Sequence, residues 1–224
     1  MCRRTSLAVE PWEFQEYVQR LGIHHLSLGY RPRYNIAPKQ DQFVILQEHG
    51  HHSVHAMRWG LMPPWRSEEA FTHTPINARA ESVRLKPMFR HAFAHRRGLV
   101  VVDSFYAWQR HSRANMPFRV HRRDGQLMTL AALWERRGPE DDPLETCAII
   151  TTDANAIIRP IQDRMPVVLA GMSQETWLNP HTDPVDAERL LMPDPSDDLT
   201  AYAITRYVNA PTHDGPQCWT RATP

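Results

Sequence analysis

Position 2 of this 224-residue chain is a cysteine standing directly behind Met1. Methionine aminopeptidases generally remove Met1 when the next residue is small, and cysteine qualifies. The product carries a free α-amine and a thiol on adjacent carbons. The amine has a pKa near ~7.7–8.0, so a useful fraction is neutral at pH 7. A neutral amine attacks an aldehyde to form a Schiff base, and the thiol can then close a five-membered thiazolidine ring. Only an N-terminal cysteine offers both nucleophiles to one carbon. Taken alone, a cysteine here is more simply incidental. The other two cysteines carry no such signal. Cys147 lies in the apolar run Thr146-Cys147-Ala148-Ile149-Ile150 and reads as a small core residue, and Cys218 lies in a proline-rich tail. An odd, sparse count argues against a disulfide framework.

The net charge of +1 points to no partner by itself. Its distribution is uneven: residues 1–137 hold 21 Lys+Arg against 11 Asp+Glu, and residues 138–224 hold 5 against 14. Such asymmetry implies a face that could meet a polyanion, although arginine-rich faces are as often merely solvated. Other chemistries lack their motifs. There is no HExxH, no paired CxxC and no metal-binding Asp cluster at known spacing. His49, His51 and His52 read as a polar turn rather than a metal site. No glycine-rich phosphate loop and no GxSxG elbow occurs, so neither a cofactor nor a metal is expected. No apolar run approaches the ~20 residues of a membrane helix. The first residues lack the apolar stretch of a signal peptide, which makes a cytoplasmic location the expectation.

The elements that must position Cys2 are mostly strands. Pro11 to Gly22 reads as an amphipathic helix, with Phe14, Tyr17, Val18 and Leu21 on one face. Gln42 to Glu48 and Ser53 to Trp59 read as strands joined around Gly50. Met88 to Arg97 is expected to be helical, and Gly98 to Phe105 a buried strand. Phe118 to His121 and Leu127 to Trp134 flank Asp124-Gly125, a hairpin turn signal. Thr146 to Thr151 and Val167 to Ala170 are further strands, and Ala201 to Val208 is the last. Ala154 to Ile158 reads as a short helix. Ser173 to Leu178, with Ser173 as N-cap, and Pro184 to Leu191 read as helices. No repeat and no linker separates two cores. The expected fold is α+β: a single domain over residues 1–224, with a mainly antiparallel, barrel-like sheet and peripheral helices.

Ordered segments along the chain add to Cys2. They are Arg33-Tyr34-Asn35-Ile36-Ala37-Pro38, Arg58-Trp59-Gly60-Leu61-Met62-Pro63-Pro64-Trp65, Asn77-Ala78-Arg79-Ala80-Glu81, and Phe89-Arg90-His91-Ala92-Phe93. Then follow Phe105-Tyr106-Ala107-Trp108, Leu133-Trp134-Glu135, Thr151-Thr152-Asp153-Ala154-Asn155, Asp163-Arg164-Met165-Pro166-Val167 and Val208-Asn209. Each is weak alone. In this order, over nearly the whole chain, they resemble the SRAP (SOS response-associated peptidase) family. The resemblance implies covalent capture of abasic sites in single-stranded DNA through Cys2, with Asn77 orienting the Cys2 amine or the sugar. It assigns DNA contact to Arg4, Asn35, Pro38, Trp59, Trp65, Arg79, Arg90, Trp108, Arg164, Met165 and Pro166. The chemistry is coherent. Arginines neutralise phosphates without reading sequence, and flat indoles stack bases at roughly 1–3 kcal/mol each. At least one of Trp59, Trp65 and Trp108 is expected in the core instead.

Two departures touch the chemistry. The family places a Glu where this chain has Ala107, and a His where it has Gln162. The resemblance gives the Glu a role in moving protons during Schiff-base formation and the His a role at the ring-opened sugar and in adduct reversal. Loss of a general acid–base group typically costs about 10²–10⁴-fold in rate. Ser104 and Arg3 also replace usual glycines. Slow crosslinking and poor reversal are therefore expected, with Glu81, Asp103 or water as candidate substitute proton carriers. Two other readings stand beside this one. The chain could be a non-catalytic module for single-stranded or junction DNA. It could be an N-terminal-nucleophile cysteine peptidase limited to releasing its own Met1. The family's hydrolase, protease and lyase activities and its SOS-response link enter only through the resemblance. Abasic single-stranded DNA is the expected partner, no membrane is, and the chain is expected to be monomeric and nucleoid-associated when bound to DNA.

Overall fold

The computed structural model describes residues 2–24, 29–65, 74–110, 115–139, 141–194 and 197–223. Among them are four α-helices and two sheets. The larger sheet is built on β3 (Asp41–Glu48), β4 (His51–Trp59), β6 (Arg97–Val102), β9 (Met128–Arg137) and β10 (Leu144–Asp153). Their pairings run β10–β4–β3–β6–β9 and return from β9 to β10, so the strands close on themselves. Closure leaves no free edge among these five. The circuit is antiparallel except where β10 runs parallel to β4. The short strands β5 (Asn77–Arg79), β11 (Arg164–Pro166) and β12 (Val168–Leu169) add to β9 and β10. The smaller sheet runs β13 (Leu199–Ala203), β8 (Met116–Arg122), β7 (Ser104–Gln109), β1 (Thr5–Leu7), β2 (Arg33–Ile36).

Side chains alternate across a strand, and here both faces are covered. Ile45, Leu99, Val101, Ala131, Leu133, Ala148 and Ile150 share one core with the helices. From α1 (Pro11–Gln19) come Phe14 and Val18, and from α2 (Arg90–His95) Phe93. Trp177 of α3 (Met172–Leu178) and Ala187 of α4 (Pro184–Arg189) complete it. Their strand neighbours Val44, Leu46, Val100, Val102, Leu130, Ala132, Cys147 and Ile149 point the other way, into a core shared with Phe105, Ala107, Val120 and Leu199 of the smaller sheet. Double coverage explains the unbroken apolar run Leu99–Val102. Cys2 is buried in this second core.

Two expectations from the sequence are corrected at the sheet boundaries. The strand expected over Gly98 to Phe105 is two strands, divided at Asp103, where the chain passes from the larger sheet to the smaller. Asp103 is buried and accepts hydrogen bonds from Ser6 Oγ, Ser104 Oγ and the Ala8 N–H. The Asp124-Gly125 turn forms, with Gly125 at φ +73°. It does not close a hairpin: β8 pairs with β7 and β13, whereas β9 pairs with β6, β10 and β12. The turn returns the chain to the larger sheet. Residues 154–158 form turns rather than a helix, and the expected last strand stops at Ala203, before a 3₁₀ turn over Arg206–Asn209. No helix of the described residues is long and apolar enough to cross a membrane.

Candidate functional site at Cys2

Cys2 is fully buried, and desolvation pushes its thiol up to about 12, opposed weakly by the positive chain terminus and a contact to the Arg4 carbonyl. The sulfur is therefore held as a neutral thiol here, and a thiol is a poor nucleophile. The Cys2 carbonyl accepts a 2.6 Å hydrogen bond from Asn77 Nδ2. Asn77 opens β5, which pairs in parallel with Ile149 to Thr151 of β10, so the larger sheet sets its place. Its Oδ1 is buried and has no partner. Most buried polar atoms are satisfied, so this oxygen is an acceptor available to a donor near Cys2.

The same core holds Ala107 and the neighbours of Gln162. Ala107 is fully buried beside Cys2 in this cluster, with Ile158, Ile161 and Met165 on either side of Gln162. Gln162 donates from Nε2 to the Arg164 carbonyl at 2.6 Å, so its amide is engaged within its own loop. Neither position carries a group that titrates near neutrality. Of the candidate replacements, Glu81 is exposed and bound by Arg164 at 2.9 and 3.0 Å. Burial acts to raise its pKa, yet those bonds prevail and hold it below its ordinary range. Asp103 is engaged at the sheet boundary. Neither hydrogen-bonds to Cys2.

The arginines and tryptophans named from the sequence divide into groups. Arg4 is half-buried; its Nη1 and Nη2 donate to the carbonyls of Arg3 and Asn209 at 3.1 and 3.3 Å. Trp108 is half-buried, and its indole N–H donates to Asn209 Oδ1 at 2.9 Å. With Arg3, Asn115 and Arg206, these residues line a cleft of about 310 Å³. Arg79 is exposed on β5, two residues from Asn77, and Trp65 is 65% exposed. Arg90 is exposed on α2, whose Ala92 and Phe93 enter the other core. Pro38 is half-buried beside Lys39, which has φ +71°.

The remaining residues are buried or tied into the fold by hydrogen bonds. Trp59 is fully buried and donates its indole N–H to the Ile76 carbonyl, so it offers no face to a base. Met165 and Pro166 are buried. Arg164 is tied to Glu81, Asp153 and the Thr151 carbonyl. Asn35 is buried, and its Nδ2 reaches the carbonyls of Val208, Ala210 and His213 at 2.8–3.0 Å. It fastens the C-terminal segment rather than facing solvent. Sequence reasoning passed over Arg206, because a lone arginine inside the expected strand Ala201 to Val208 reads as solvated.

The charge asymmetry is met in part by internal ion pairs. Arg33 pairs with Asp214, Arg84 with Glu188, Arg122 with Asp198, and Arg136 with Glu145, each joining the basic part of the chain to the acidic part.

Comparison with known proteins shows the family. A family profile described as SOS response associated peptidase (SRAP) matches residues 1–211. The abasic site processing protein YoqW of Bacillus subtilis is 38% identical over 97% of this chain and 98% of its own length. The protein of that description from Escherichia coli, YedK, is 28% identical over 65% of this chain and 64% of its own. A crystal structure of a Bacteroides thetaiotaomicron protein superposes with a TM-score of 0.86 at 25% identity, covering 99% of this chain and all of that one. The chain belongs to the SRAP family.

Proposed function

We propose that this chain captures abasic sites in single-stranded DNA as a covalent thiazolidine on Cys2, at a rate lowered by Ala107 and Gln162. Removal of Met1 frees the Cys2 α-amine. An abasic sugar equilibrates with a ring-opened form whose C1′ is an aldehyde. The neutral amine adds to that carbon, and loss of water gives an imine. The thiol then adds to the imine carbon, its proton passes to nitrogen, and the ring closes. One water is released, and no oxidant or cofactor enters the balance.

The observation that carries this reading is the Asn77 contact to Cys2. It fixes the backbone of the residue bearing both nucleophiles, and its unpartnered Oδ1 can accept from the freed amine. The amine adds first because only its addition, with loss of water, makes the imine carbon to which the thiol then adds. Proton transfers that the family's Glu and His would perform fall to water or to the reacting groups themselves, which lowers the rate without abolishing it. Loss of the histidine position also makes the adduct slow to reverse.

Incubation of the protein with an oligonucleotide bearing one abasic site, beside an undamaged control, tests the reading. A covalent band on a denaturing gel is expected, absent in Cys2→Ala, from protein whose intact mass lacks Met1. A Met1-free protein that binds the strand yet yields no band after prolonged incubation would make it a DNA-binding module without the chemistry.

A further inference from the structure

Most arginines near the described acids are neutralised, but the cleft beside Cys2 is not. Among the described residues, its lining contains Arg3, Arg4 and Arg206 and no carboxylate. Among the described residues, the side chains of Arg3 and Arg206 have no hydrogen-bond or ion-pair partner. Arg4 is held by two carbonyls, but its Nε is buried without a partner. Burial, and then the adjacent Arg3 charge, lower the Arg4 pKa. Arg3 and Arg4 are chain neighbours lining the same cleft. Three uncompensated cations around one cavity constitute an anion site waiting for its counter-charge.

Trp108, in the same lining, narrows the class of anion. Trp108 is pinned by its N–H to Asn209 Oδ1, which fixes the ring's orientation at the cleft. A fixed indole takes a base by stacking. A nucleotide supplies both a base and a phosphate. An internal phosphodiester carries a single negative charge, whereas a phosphomonoester carries about −1.5 to −2 at pH 7. It also presents three oxygens to the planar forks of guanidinium groups. Three arginines match the monoester better than the diester.

We propose that this cleft is a subsite for the terminal phosphate of a DNA strand, recognised by Arg3 and Arg206 beside Arg4, with Trp108 stacking the terminal base. The assignment rests on the DNA-capture reading above and adds a preference to it: abasic sites close to a phosphorylated strand end are engaged ahead of those in the middle of a strand.

Fluorescence anisotropy with short undamaged single strands of one sequence tests this. The strands carry a 5′-phosphate, a 3′-phosphate, or hydroxyls at both ends. One phosphorylated strand should bind about tenfold tighter than the hydroxyl strand, as one added charge-assisted hydrogen-bonding group implies. In the Arg3→Ala/Arg206→Ala double variant, with folding checked by circular dichroism, the two should bind alike. Equal binding of all three strands by the wild-type protein would overturn the proposal. So would a double variant that weakens every strand by the same factor, since that is the signature of internal phosphodiester contact. Crosslinking to an abasic strand, measured in parallel, separates the two readings. Crosslinking with no phosphate preference sinks the subsite alone, and a phosphate preference without crosslinking sinks covalent capture alone.

Discussion

Asn77 donates to the carbonyl of Cys2 at 2.6 Å while its own side-chain oxygen lies buried without a partner. One half of the amide is thus engaged at Cys2, and on the proposed reading the other half receives the Cys2 amine. Replacing Asn77 by Ala removes both. A displacement of the reacting group on the scale of an ångström can cost about 10²-fold, so the crosslinking rate in Asn77→Ala should fall by about that factor. Single-turnover band formation on a denaturing gel reads it. A rate within twofold of wild type would leave Asn77 with a purely structural role.

Ala107 sits in the same core as Cys2. Placing a carboxylate there, with histidine at position 162, should supply general acid–base assistance on the proposed reading. Ala107→Glu/Gln162→His is expected to crosslink about 10²-fold faster and to reverse measurably. Ala107 is fully buried, so the larger side chain should cost about 1–3 kcal/mol of stability, visible as a lower melting temperature. A folded double variant with an unchanged rate would mean that proton transfer is not what limits this chain.

The parts of the fold set by local chemistry were legible. His49 and Gly50, at φ +52° and +79°, form the two-residue turn between β3 and β4, with Glu48 opposite His51, as a primed hairpin turn requires. The sheet changes at Asp103 and at Asp124-Gly125 were not legible. Nothing local distinguishes a strand that continues in one sheet from one that crosses to another, and the partners that decide it lie far away in the chain. The short strands Thr5–Leu7 and Arg33–Ile36 escaped for the same reason. At the site, Cys2 and Asn77 could be named from motif order. Arg3 and Arg206 could not be joined, because only the folded C-terminal segment brings them to one cleft.

That segment depends on Asn35. Its two amide N–H groups are shared among three buried or half-buried carbonyls, each N–H bond being worth about 1 kcal/mol. Asn35→Ala should lower the unfolding free energy by about 2–3 kcal/mol, read from the urea midpoint. If Asn35 were instead a direct DNA contact, the variant would keep its midpoint and lose only affinity.

Asp103 supplies a pH signature of the sheet boundary. Burial raises its pKa above the ordinary carboxyl value, outweighing hydrogen bonds from Ser6 and Ala8, the Arg119 charge and the Ser104 bond. The Arg119 guanidinium stands 3.7 Å from its carboxylate. A folded-state pKa above the unfolded ~3.9 means that the native chain holds this proton more tightly than the unfolded chain. The contribution is fully present below the unfolded value and is lost as pH rises through the raised folded value. Asn at this position keeps the shape and an acceptor for the Ala8 N–H but does not titrate. The melting temperature of Asp103→Asn minus that of wild type should therefore climb as pH rises from about 4, then level off once the folded carboxyl has ionised. A difference that instead falls over that interval would show Arg119 and the hydroxyls outweighing burial, and would place the carboxylate below its ordinary value.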